Sequence, residues 1–574
     1  MPMKIPIGVD DFRKLREQGL EYVDKSHLIS ELIDQEGATV ILLPRPRRFG
    51  KTLNLSMLRY FFEQRDENLW HLFEGLSIEH AGERYKKHFA SYPVISISLK
   101  GVKTDNAETC QTGIRTALRT LYSERAWLLE HPALSEWDKQ RMRAMLEGQA
   151  NETEYRNALL FLCQCLHKAH KKDVIVLMDE YDAPIHAAFV EGFYRPVIDF
   201  FRDFFELTFK GNPYLHKGVI TGILRVAKES VFSGLNNLAV YSLLSKPFCS
   251  CFGFTESEVQ ALLAKAGALP LLESVRAYYN GYRFGDREIY NPWSVLNFLC
   301  DEQKRLIPHW LGTSSNDLVK EMLQTHAFSV KEDLETLLAG GTIDKKIDEN
   351  VSLSDLKGDA RALWGLLVLT GYLKAWYEGV EAGKPPPPAK LAIPNGEIFE
   401  IYRSTFEAFV DNALRPGGSS LDALLKALLL GNAEQVQMHL AHYAKHLLSY
   451  HDTAQLDFQP ERFYHGLLLG LLASLEPAYQ VRSNRESGEG RPDISITPRE
   501  AGKPGVVIEL KIVPPVKSKA KHKQPAVVDK LLKAALAQAQ EKAYGAEMLS
   551  AGASVVRTLA VVFDGKQVWV RAQT

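Results

Sequence analysis

The chain has 574 residues, of which 45% are hydrophobic and 24% are charged. This composition is typical of globular protein, and the length predicts two to four domains rather than one core. The formal net charge of −1 excludes a uniformly basic protein, so any contact with nucleic acid must come from local patches.

The first predicted strand leads directly into a basic loop that contains glycine. Residues 38–43 form an apolar, β-branched run, and residues 53–62 have the apolar spacing of a helix. Strand, loop, Gly-Lys-Thr and helix are the layout of a phosphate-binding loop. Gly50 would let the backbone approach a phosphate, Lys51 would reach the β/γ-phosphates, and the Thr52 hydroxyl would ligate Mg²⁺.

This loop departs from the general phosphate-loop pattern at one position. The first glycine of G-x-x-x-x-G-K-[ST] would fall at position 45, which is Arg45. Taken alone, the segment could therefore be a basic loop before a helix. Arg47 and Phe49 are further candidate contacts of a nucleotide.

A second apolar strand, after a helical stretch over residues 107–170, ends in two carboxylates. Asp179 would hold Mg²⁺ and its water shell, and Glu180 is placed to polarise an attacking water. An acidic pair that closes an apolar run is much rarer by chance than an acidic pair alone. The two strands together therefore favour a nucleotide site.

The third predicted strand, residues 218–225, supplies two more candidates. Thr221 could sense the γ-phosphate from the tip of the strand. Arg225 could stabilise the negative charge on the transferred phosphate, either in the same chain or across a subunit boundary. The second arrangement would require a homo-oligomer, which is therefore one possible assembly. A surface salt bridge is an equal alternative for Arg225.

The middle of the chain, from 242 to 440, is predicted to be mostly helical, with a proline run at 385–388 that must be a loop or spacer. Its aromatic residues could stack on nucleic acid, although core packing is the preferred interpretation. These aromatic residues are Tyr278, Tyr279, Tyr282, Trp293 and Trp310.

Near the C-terminus, Asp493 begins one predicted strand, and Glu509 and Lys511 end the next. Residues two apart on a strand share a face, and charges on a buried strand are costly unless they are paired or bind something. The two carboxylates would hold a divalent cation and Lys511 would stabilise developing negative charge, as in a metal-dependent phosphodiesterase. The alternative is a structural ion pair. A basic loop at 516–523 could hold a phosphate backbone or be a solvated charge run.

Taken together, these segments resemble the bacterial AAA-ATPase-like family fused to a PD-(D/E)XK nuclease domain. The motifs that carry the resemblance are YVDKS (22–26), RPRRFGKT (45–52), MDEYDAP (178–184), TGILR (221–225), FSGLNN (232–237), YYNGYRFG (278–285), YNPWSVLNFL (290–299), FYHGLLLGLL (463–472), GRPDI (490–494) and IELK (508–511). In that family Arg-Pro-Arg-Arg takes the place of the first glycine, so nucleotide binding is still implied while turnover stays open.

The resemblance also implies the fold class and two assisting residues. It implies an α/β protein with a parallel-sheet P-loop ATPase domain (1–240), a helical lid or connector (241–440) and a restriction-endonuclease-like α/β domain (441–574). Gln538 and Tyr544 match the C-terminal helix pattern of such nucleases, and this role is slightly favoured over the alternative of a polar helix face. His465 could be an extra metal or phosphate contact or a core residue.

These interpretations predict an ATP-binding nuclease that depends on Mg²⁺ or Mn²⁺ and acts on DNA in preference to RNA, with the ATPase domain gating or driving cleavage. Defence against phage or mobile DNA rests on analogy with the architecture alone. The alternative is a STAND-like regulatory ATPase switch whose nuclease-like domain only binds nucleic acid or a partner.

The cysteine spacing and the N-terminal residues help to predict the cellular compartment of the protein. None of the six cysteines forms a C-x-x-C pair, so a structural zinc site is not expected. The two C-x-C pairs lie in apolar surroundings that are typical of buried thiols. With neither a signal peptide nor a bilayer-spanning apolar stretch, we expect a cytoplasmic protein with no membrane partner.

Overall fold

The chain divides into two compact units. A computed structural model describes residues 3–102, 104–224, 232, 235–310, 331–338, 340–349, 353, 360–402, 421–447, 468, 471–472, 475, 478–483, 493–513, 524–541, 545–564 and 567–573. The first unit comprises Met1–Ser329 and Thr342–Phe399, and the second comprises Val330–Gly341 and Glu400–Thr574. Most of the predicted connector, residues 241–329 and 342–399, is therefore grouped with the N-terminal domain.

A five-stranded parallel sheet forms the centre of the first unit, in the spatial order β2-β3-β4-β1-β5. Its strands are β1 (Val40–Pro44), β2 (Val94–Ser98), β3 (Val174–Asp179), β4 (Leu215–Gly222) and β5 (Leu238–Val240). β1 and β3 are buried along their whole length, as their continuous apolar runs predict. Because Pro44 pairs with Gly222 and Met178 with Ile220, the carboxyl ends of β1, β3 and β4 lie side by side.

Helices flank this sheet, and α3, α5 and α8 pack against β2 or β3. The helices of the first unit up to β5 are α1 (Phe12–Glu17), α2 (His27–Asp34), α3 (Lys51–Phe62), α4 (Glu83–Lys86), α5 (Ala107–Ser123), α6 (Glu136–Glu147), α7 (Glu152–Arg156), α8 (Ala158–His170), α9 (Ala183–Val190) and α10 (Tyr194–Phe209). The start of α6 is set by a capping box, in which Ser135 and Asp138 bond each other's backbone N–H groups. The predicted helical stretch at 107–170 thus consists of α5 to α8.

The rest of the first unit contains short strands as well as helices. They are α11 (Glu256–Lys265), α12 (Leu272–Tyr279), β6 (Tyr282–Phe284), β7 (Arg287–Ile289), α13 (Pro292–Cys300), β8 (Ile343–Lys345), α15 (Ala360–Leu369), β9 (Lys374–Trp376) and β10 (Ala389–Ala392), while α14 (Lys331–Leu338) belongs to the second unit. β6 and β7 form a hairpin, and β8, β10 and β9 form an antiparallel sheet. Tyr279, Tyr282 and Trp310 are buried, in agreement with core packing.

The second unit is built on a mixed sheet in the order β11-β12-β13-β14-β15, in which only β13 and β14 run parallel. Its further elements are α16 (Leu421–Leu430), α17 (Ala433–Leu447), β11 (Tyr479–Ser483), β12 (Ile494–Pro498), β13 (Gly505–Ile512), α18 (Gln524–Glu541), α19 (Gly545–Ser550), β14 (Val556–Asp564) and β15 (Gln567–Gln573). The predicted α/β fold class is confirmed in both units. Across the described parts of the chain, we find no helix with the length and apolarity that a membrane crossing requires.

Candidate functional site

The loop between β1 and α3 has the backbone of an anion site. Gly50 adopts φ 82°, a left-handed conformation that costs glycine little and other residues more. Directly after it, α3 begins at Lys51, so the unpaired N–H groups and the positive dipole end of a twelve-residue helix face the loop. This is the arrangement in which a helix N-terminus binds phosphate.

The carboxylate of Asp179 accepts hydrogen bonds from two other predicted site residues. Thr52 Oγ1 donates to Asp179 Oδ2 at 2.6 Å, and Thr221 Oγ1 donates to Asp179 Oδ1 at 2.6 Å. Asp179 is buried, and both hydroxyls come from elements that meet it at the same edge of the sheet. A hydroxyl and a carboxylate within hydrogen-bonding distance are oxygen ligands of the kind Mg²⁺ prefers, so these residues fit the predicted ion.

Lys51 is buried against the loop that it follows. Its Nζ donates to the carbonyl oxygens of Arg45 at 3.0 Å and Pro46 at 2.9 Å. Burial lowers the pKa of Lys51, while the negative charges of Glu180 and Asp179 act in the opposite direction. Because an ammonium group has three donors, one N–H of Lys51 remains for a phosphate oxygen.

Glu180 lies just beyond β3 with φ 49°, an unusual backbone conformation for a residue with a side chain. Such conformations persist only where the surrounding structure holds them, and they occur often at active sites. Its charge acts on both Lys51 and Arg48, which places this carboxylate on the loop side of the sheet edge. The predicted water-polarising position is thus next to the phosphate loop.

Asp182 is a site residue that the sequence reasoning missed. Its Oδ2 accepts the backbone N–H groups of Ile223 at 2.8 Å and Leu224 at 2.9 Å, directly after β4. A Cβ added at Gly222 would lie 2.7 Å from Asp182 Oδ1, so this glycine permits the close approach. Asp182 therefore positions the end of the strand that carries Thr221. The third acidic residue of the MDEYDAP motif was the available signal.

Arg45, at the position of the missing glycine, is a buried anchor and does not face the helix N-terminus. Its guanidinium donates to the carbonyl oxygens of Pro44 at 2.8 Å, Tyr241 at 2.8 Å and Phe248 at 3.1 Å. It also lies 5.1 Å from the ring centroid of Phe252. Burial lowers the pKa of Arg45 to about 10, so the group remains charged at neutral pH. It ties the loop to the segment after β5.

The other loop residues differ in how they are placed. The Phe49 ring is buried and packs at 5.0 Å against Tyr282, so only its backbone is available to a ligand. Arg48 is exposed and its guanidinium lies 3.9 Å over the ring of Trp293. Arg47 is half-buried in the same loop.

In the second unit, Asp493, Glu509 and Lys511 lie close together. β12 and β13 pair antiparallel with Ile494 opposite Ile508, so Asp493 and Glu509 occupy the next pair of positions. Asp493 Oδ2 accepts the backbone N–H of Leu510 at 2.8 Å, and Lys511 Nζ lies 3.6 Å from Glu509 Oε2. The predicted constellation is brought together.

Glu509 is fully buried, and neither of its carboxyl oxygens has a hydrogen-bond partner among the described residues. Burial, followed by the charge of Asp493, raises the pKa of Glu509 to about 7, while Lys511 opposes this rise. A buried carboxyl group beside a second carboxylate, with one lysine as its ion-pair partner, is costly unless a further cation compensates it. This donor set fits a divalent metal ion held by oxygen atoms.

Gln538 lies on the helix that covers this face of the sheet. Ala535 of α18 packs with Ala560 and Val562 of β14, and Ala539 of α18 packs with Val507 of β13. Gln538 is half-buried between these two alanines in the chain and makes no hydrogen bond within the described part of the unit. The predicted catalytic role of Gln538 stays a prediction. Four other predicted features lie outside the described residues: Arg225, His465, Tyr544 and the basic loop 516–523.

Comparison with known proteins gives a family match in each unit. Residues 6–232 match the family model described as predicted AAA-ATPase (AAA-ATPase-like), and residues 459–573 match that of the PD-(D/E)XK nuclease superfamily. A curated protein of Azotobacter chroococcum mcd 1, named "Uncharacterized protein in vnfD 5'region", is 31% identical over 328 residues. That match covers 56% of this chain and 56% of the relative, so it spans little more than half of that protein. The chain thus joins an AAA-ATPase-like domain to a C-terminal domain of the PD-(D/E)XK nuclease superfamily.

Proposed function

We propose that the chain is an ATP-binding nuclease that requires Mg²⁺ or Mn²⁺ and cleaves phosphodiester bonds in DNA. The observation that carries this proposal is the fully buried carboxyl group of Glu509, which lies beside Asp493 and has no hydrogen bond among the described residues, only an ion pair with Lys511. That ion pair alone leaves two carboxylates facing one lysine. A bound cation resolves that excess of negative charge.

The residues of this site would divide the work of phosphodiester hydrolysis. When bound, a divalent cation polarises the scissile phosphate and lowers the pKa of a coordinated water. Asp493 and Glu509 would hold it through carboxylate oxygens, with Asp493 fixed by the N–H of Leu510. The Lys511 ammonium would lie beside the phosphate and stabilise negative charge that develops during cleavage.

In the N-terminal unit, the chain's own residues are arranged to hold a nucleotide. The helix N-terminus at Lys51 would bind phosphate oxygens, and Thr52 and Asp179 would hold Mg²⁺. Asp182 fixes the end of β4 and, with it, Thr221. We propose that ATP at this site gates or drives cleavage in the cytoplasm, with defence against mobile DNA as the biological setting.

The test is a cleavage assay with single-stranded DNA, double-stranded DNA and RNA, in Mg²⁺, Mn²⁺ or chelator. We expect DNA cleavage by the wild type only with metal, and a loss of at least ~100-fold for Asp493→Ala and Lys511→Ala. Lys503→Ala is the matched control, because Lys503 is a lysine of the same domain that pairs with exposed Glu500. Cleavage unchanged in both site variants, with folding verified by circular dichroism, would refute the proposal.

A second candidate is a regulatory ATPase switch whose C-terminal domain only binds nucleic acid or a partner. The contacts of Lys51 with the carbonyl groups of its own loop favour it, because they must rearrange if the ammonium is to engage phosphate fully. Under this alternative, Lys51→Ala would abolish function in cells while Asp493→Ala would not.

A further inference from the structure

A third group of side chains that could bind a metal lies in the first unit. None of its members belongs to the nucleotide site or to the site around Glu509. His27 and Glu31 are four apart on α2, so they share one face of that helix. Cys251 approaches the same face from more than two hundred residues away in the chain. One ligand atom from each of the three side chains lies within 4.8 Å of the others.

We propose that His27, Glu31 and Cys251 form a binding site for a transition-metal ion of the Zn²⁺ class, with the fourth position left to water. An imidazole nitrogen, a thiolate sulfur and a carboxylate oxygen are donors that Zn²⁺ accepts together, whereas Mg²⁺ and Ca²⁺ prefer oxygen alone. The site is therefore chemically distinct from the two oxygen-ligand sites of this protein.

Hydrogen bonds outside the three ligands hold two of them in place. His27 Nε2 lies 3.2 Å from Ser250 Oγ, and Glu31 Oε2 accepts the backbone N–H of Phe248 at 2.7 Å. Such outer partners orient metal ligands and are a regular part of transition-metal sites. They come from the same short segment that carries Cys251, so α2 and this segment form one preorganised unit.

Two cationic side chains, Lys25 and Arg45, act on the ligands of this site. Lys25 Nζ bonds the carbonyl of Ser250 at 2.9 Å, and its charge is compensated by Glu258 at 2.8 Å. Arg45 also acts on Cys251 and Glu31, so the alternative role of Glu31 is that of its counter-ion. A thiolate and a carboxylate would together balance the two charges of Zn²⁺.

The segment at this site also contacts the phosphate loop and its helix. Phe248 O accepts from Arg45, and Cys251 O accepts from Asn54 Nδ2 of α3 at 2.8 Å. A metal ion at His27 and Cys251 would therefore fasten α2, the segment 248–251 and the start of α3 to one another. Binding would stabilise the fold around the nucleotide site.

The experiment uses the full chain, stripped of metal with a chelator and titrated with Co²⁺, whose bond to a thiolate gives a near-ultraviolet charge-transfer band. We expect the wild type to show this band at one equivalent of Co²⁺ and to lose it when Zn²⁺ is added. Cys251→Ser should lack the band, and His27→Ala should weaken binding at least ~10-fold. Cys249→Ser, which changes the neighbouring cysteine outside the cluster, should retain it.

Cobalt held only by the oxygen-ligand sites gives no thiolate band, so those sites do not interfere with the result. Absence of the band from the wild type would overturn the proposal, as would an equal band in Cys251→Ser. Equal Co²⁺ affinity of His27→Ala and the wild type would overturn it as well. Circular dichroism of each variant confirms that the protein remains folded.

Discussion

Glu509 combines the features that suit the C-terminal site to binding a cation. Its side chain is fully buried, its oxygens make no hydrogen bond among the described residues, and Asp493 adds a second negative charge. The pKa of Glu509 is raised to about 7, chiefly by burial. The metal-free protein therefore carries this group partly protonated at neutral pH.

The first prediction concerns the stability of the metal-free protein. Between the ordinary pKa of 4.5 and the folded value of about 7, the unfolded chain has lost the Glu509 proton and the folded chain has kept it. Stability therefore falls as pH rises through this window. Thermal unfolding in chelator between pH 5 and 8 measures this fall.

The matched variant for this prediction is Glu509→Gln, which keeps the shape and removes the titration. It should unfold at a higher temperature than the wild type at pH 8, and its unfolding temperature should depend less on pH. Mn²⁺ should stabilise the wild type more than this variant. Identical pH profiles for the two proteins would contradict the account of Glu509.

The second prediction concerns Lys51. Lys51→Ala should weaken ATP binding at least ~10-fold, which corresponds to about 1.4 kcal/mol, because it removes a buried ammonium group from the start of α3. Isothermal titration calorimetry with ATP and Mg²⁺ measures the change. Lys210→Ala, which breaks only an exposed pair with Glu206, is the control and should bind ATP as the wild type does. Equal affinity for the two variants would argue against a phosphate site at α3.

At the scale of residues, the sequence predicted the identity of the candidate site residues better than it predicted their contacts. The spacing of Glu509 and Lys511 followed from the two-residue period of a strand. The opposing position of Asp493 required the antiparallel register of β12 and β13, which no local pattern gives. Phe49 had been assigned to the nucleotide, yet its ring packs against Tyr282, a partner distant in the chain.

At the scale of elements, the loop between β1 and α3 is held by Arg45 and not by glycine. Its three carbonyl partners include Tyr241 and Phe248, about two hundred residues later in the chain. The sequence marked Arg45 as a departure from a pattern, and the structure shows a physical reason for it. A buried arginine with three acceptors fixes the loop where a glycine would leave it free.

The third prediction follows from this anchor. Restoring the general pattern with Arg45→Gly should destabilise the protein by at least ~2 kcal/mol, because three carbonyl groups lose their donor and a cavity opens. ATP affinity should fall as well. Thermal unfolding and calorimetry of the variant measure both effects.

Arg45→Lys provides the matched comparison, because it keeps the charge but cannot bridge three carbonyl groups. We expect it to be less stable than the wild type and more stable than Arg45→Gly. If Arg45→Gly proved as stable as the wild type, Arg45 would not be the anchor of this loop.

The elements themselves were largely predictable where a pattern was long and regular. The predicted apolar run at 38–43 contains most of β1, and the predicted helical stretch at 107–170 contains α5 to α8. The hairpin β6–β7 was missed because three-residue strands are too short to establish a period. The order of the parallel sheet depends on crossovers that periodicity does not encode.

At the scale of the whole molecule, each compact unit carries one of the two sites. The phosphate loop, Asp179 and Asp182 lie in the first unit, and Asp493 and Glu509 lie in the second. The predicted domain limits were 240 and 440. They differ from the compact units because motifs along the chain show where segments lie and not which segments contact each other. Residues 241–329 and 342–399 share a unit with this loop, and Arg45 and Phe49 of the loop contact Phe248 and Tyr282 among them.

The fourth prediction tests whether the two units are linked in function. If ATP gates cleavage, the rate of DNA cleavage by the wild type should change at least ~10-fold between ATP-free and ATP-saturated protein. The rate for Lys51→Ala should not respond to ATP. A wild-type rate that is the same with and without bound ATP would separate the nuclease from nucleotide control.

The central claim is that Asp493 and Glu509 hold the metal ion of a nuclease. The most direct measurement is the single-turnover rate of DNA cleavage as a function of Mn²⁺ concentration, for the wild type and Glu509→Gln. The account predicts a saturable, metal-dependent rate in the wild type and a rate at least ~100-fold lower in the variant at every concentration. Cleavage by Glu509→Gln at the wild-type rate with the same metal dependence would contradict it.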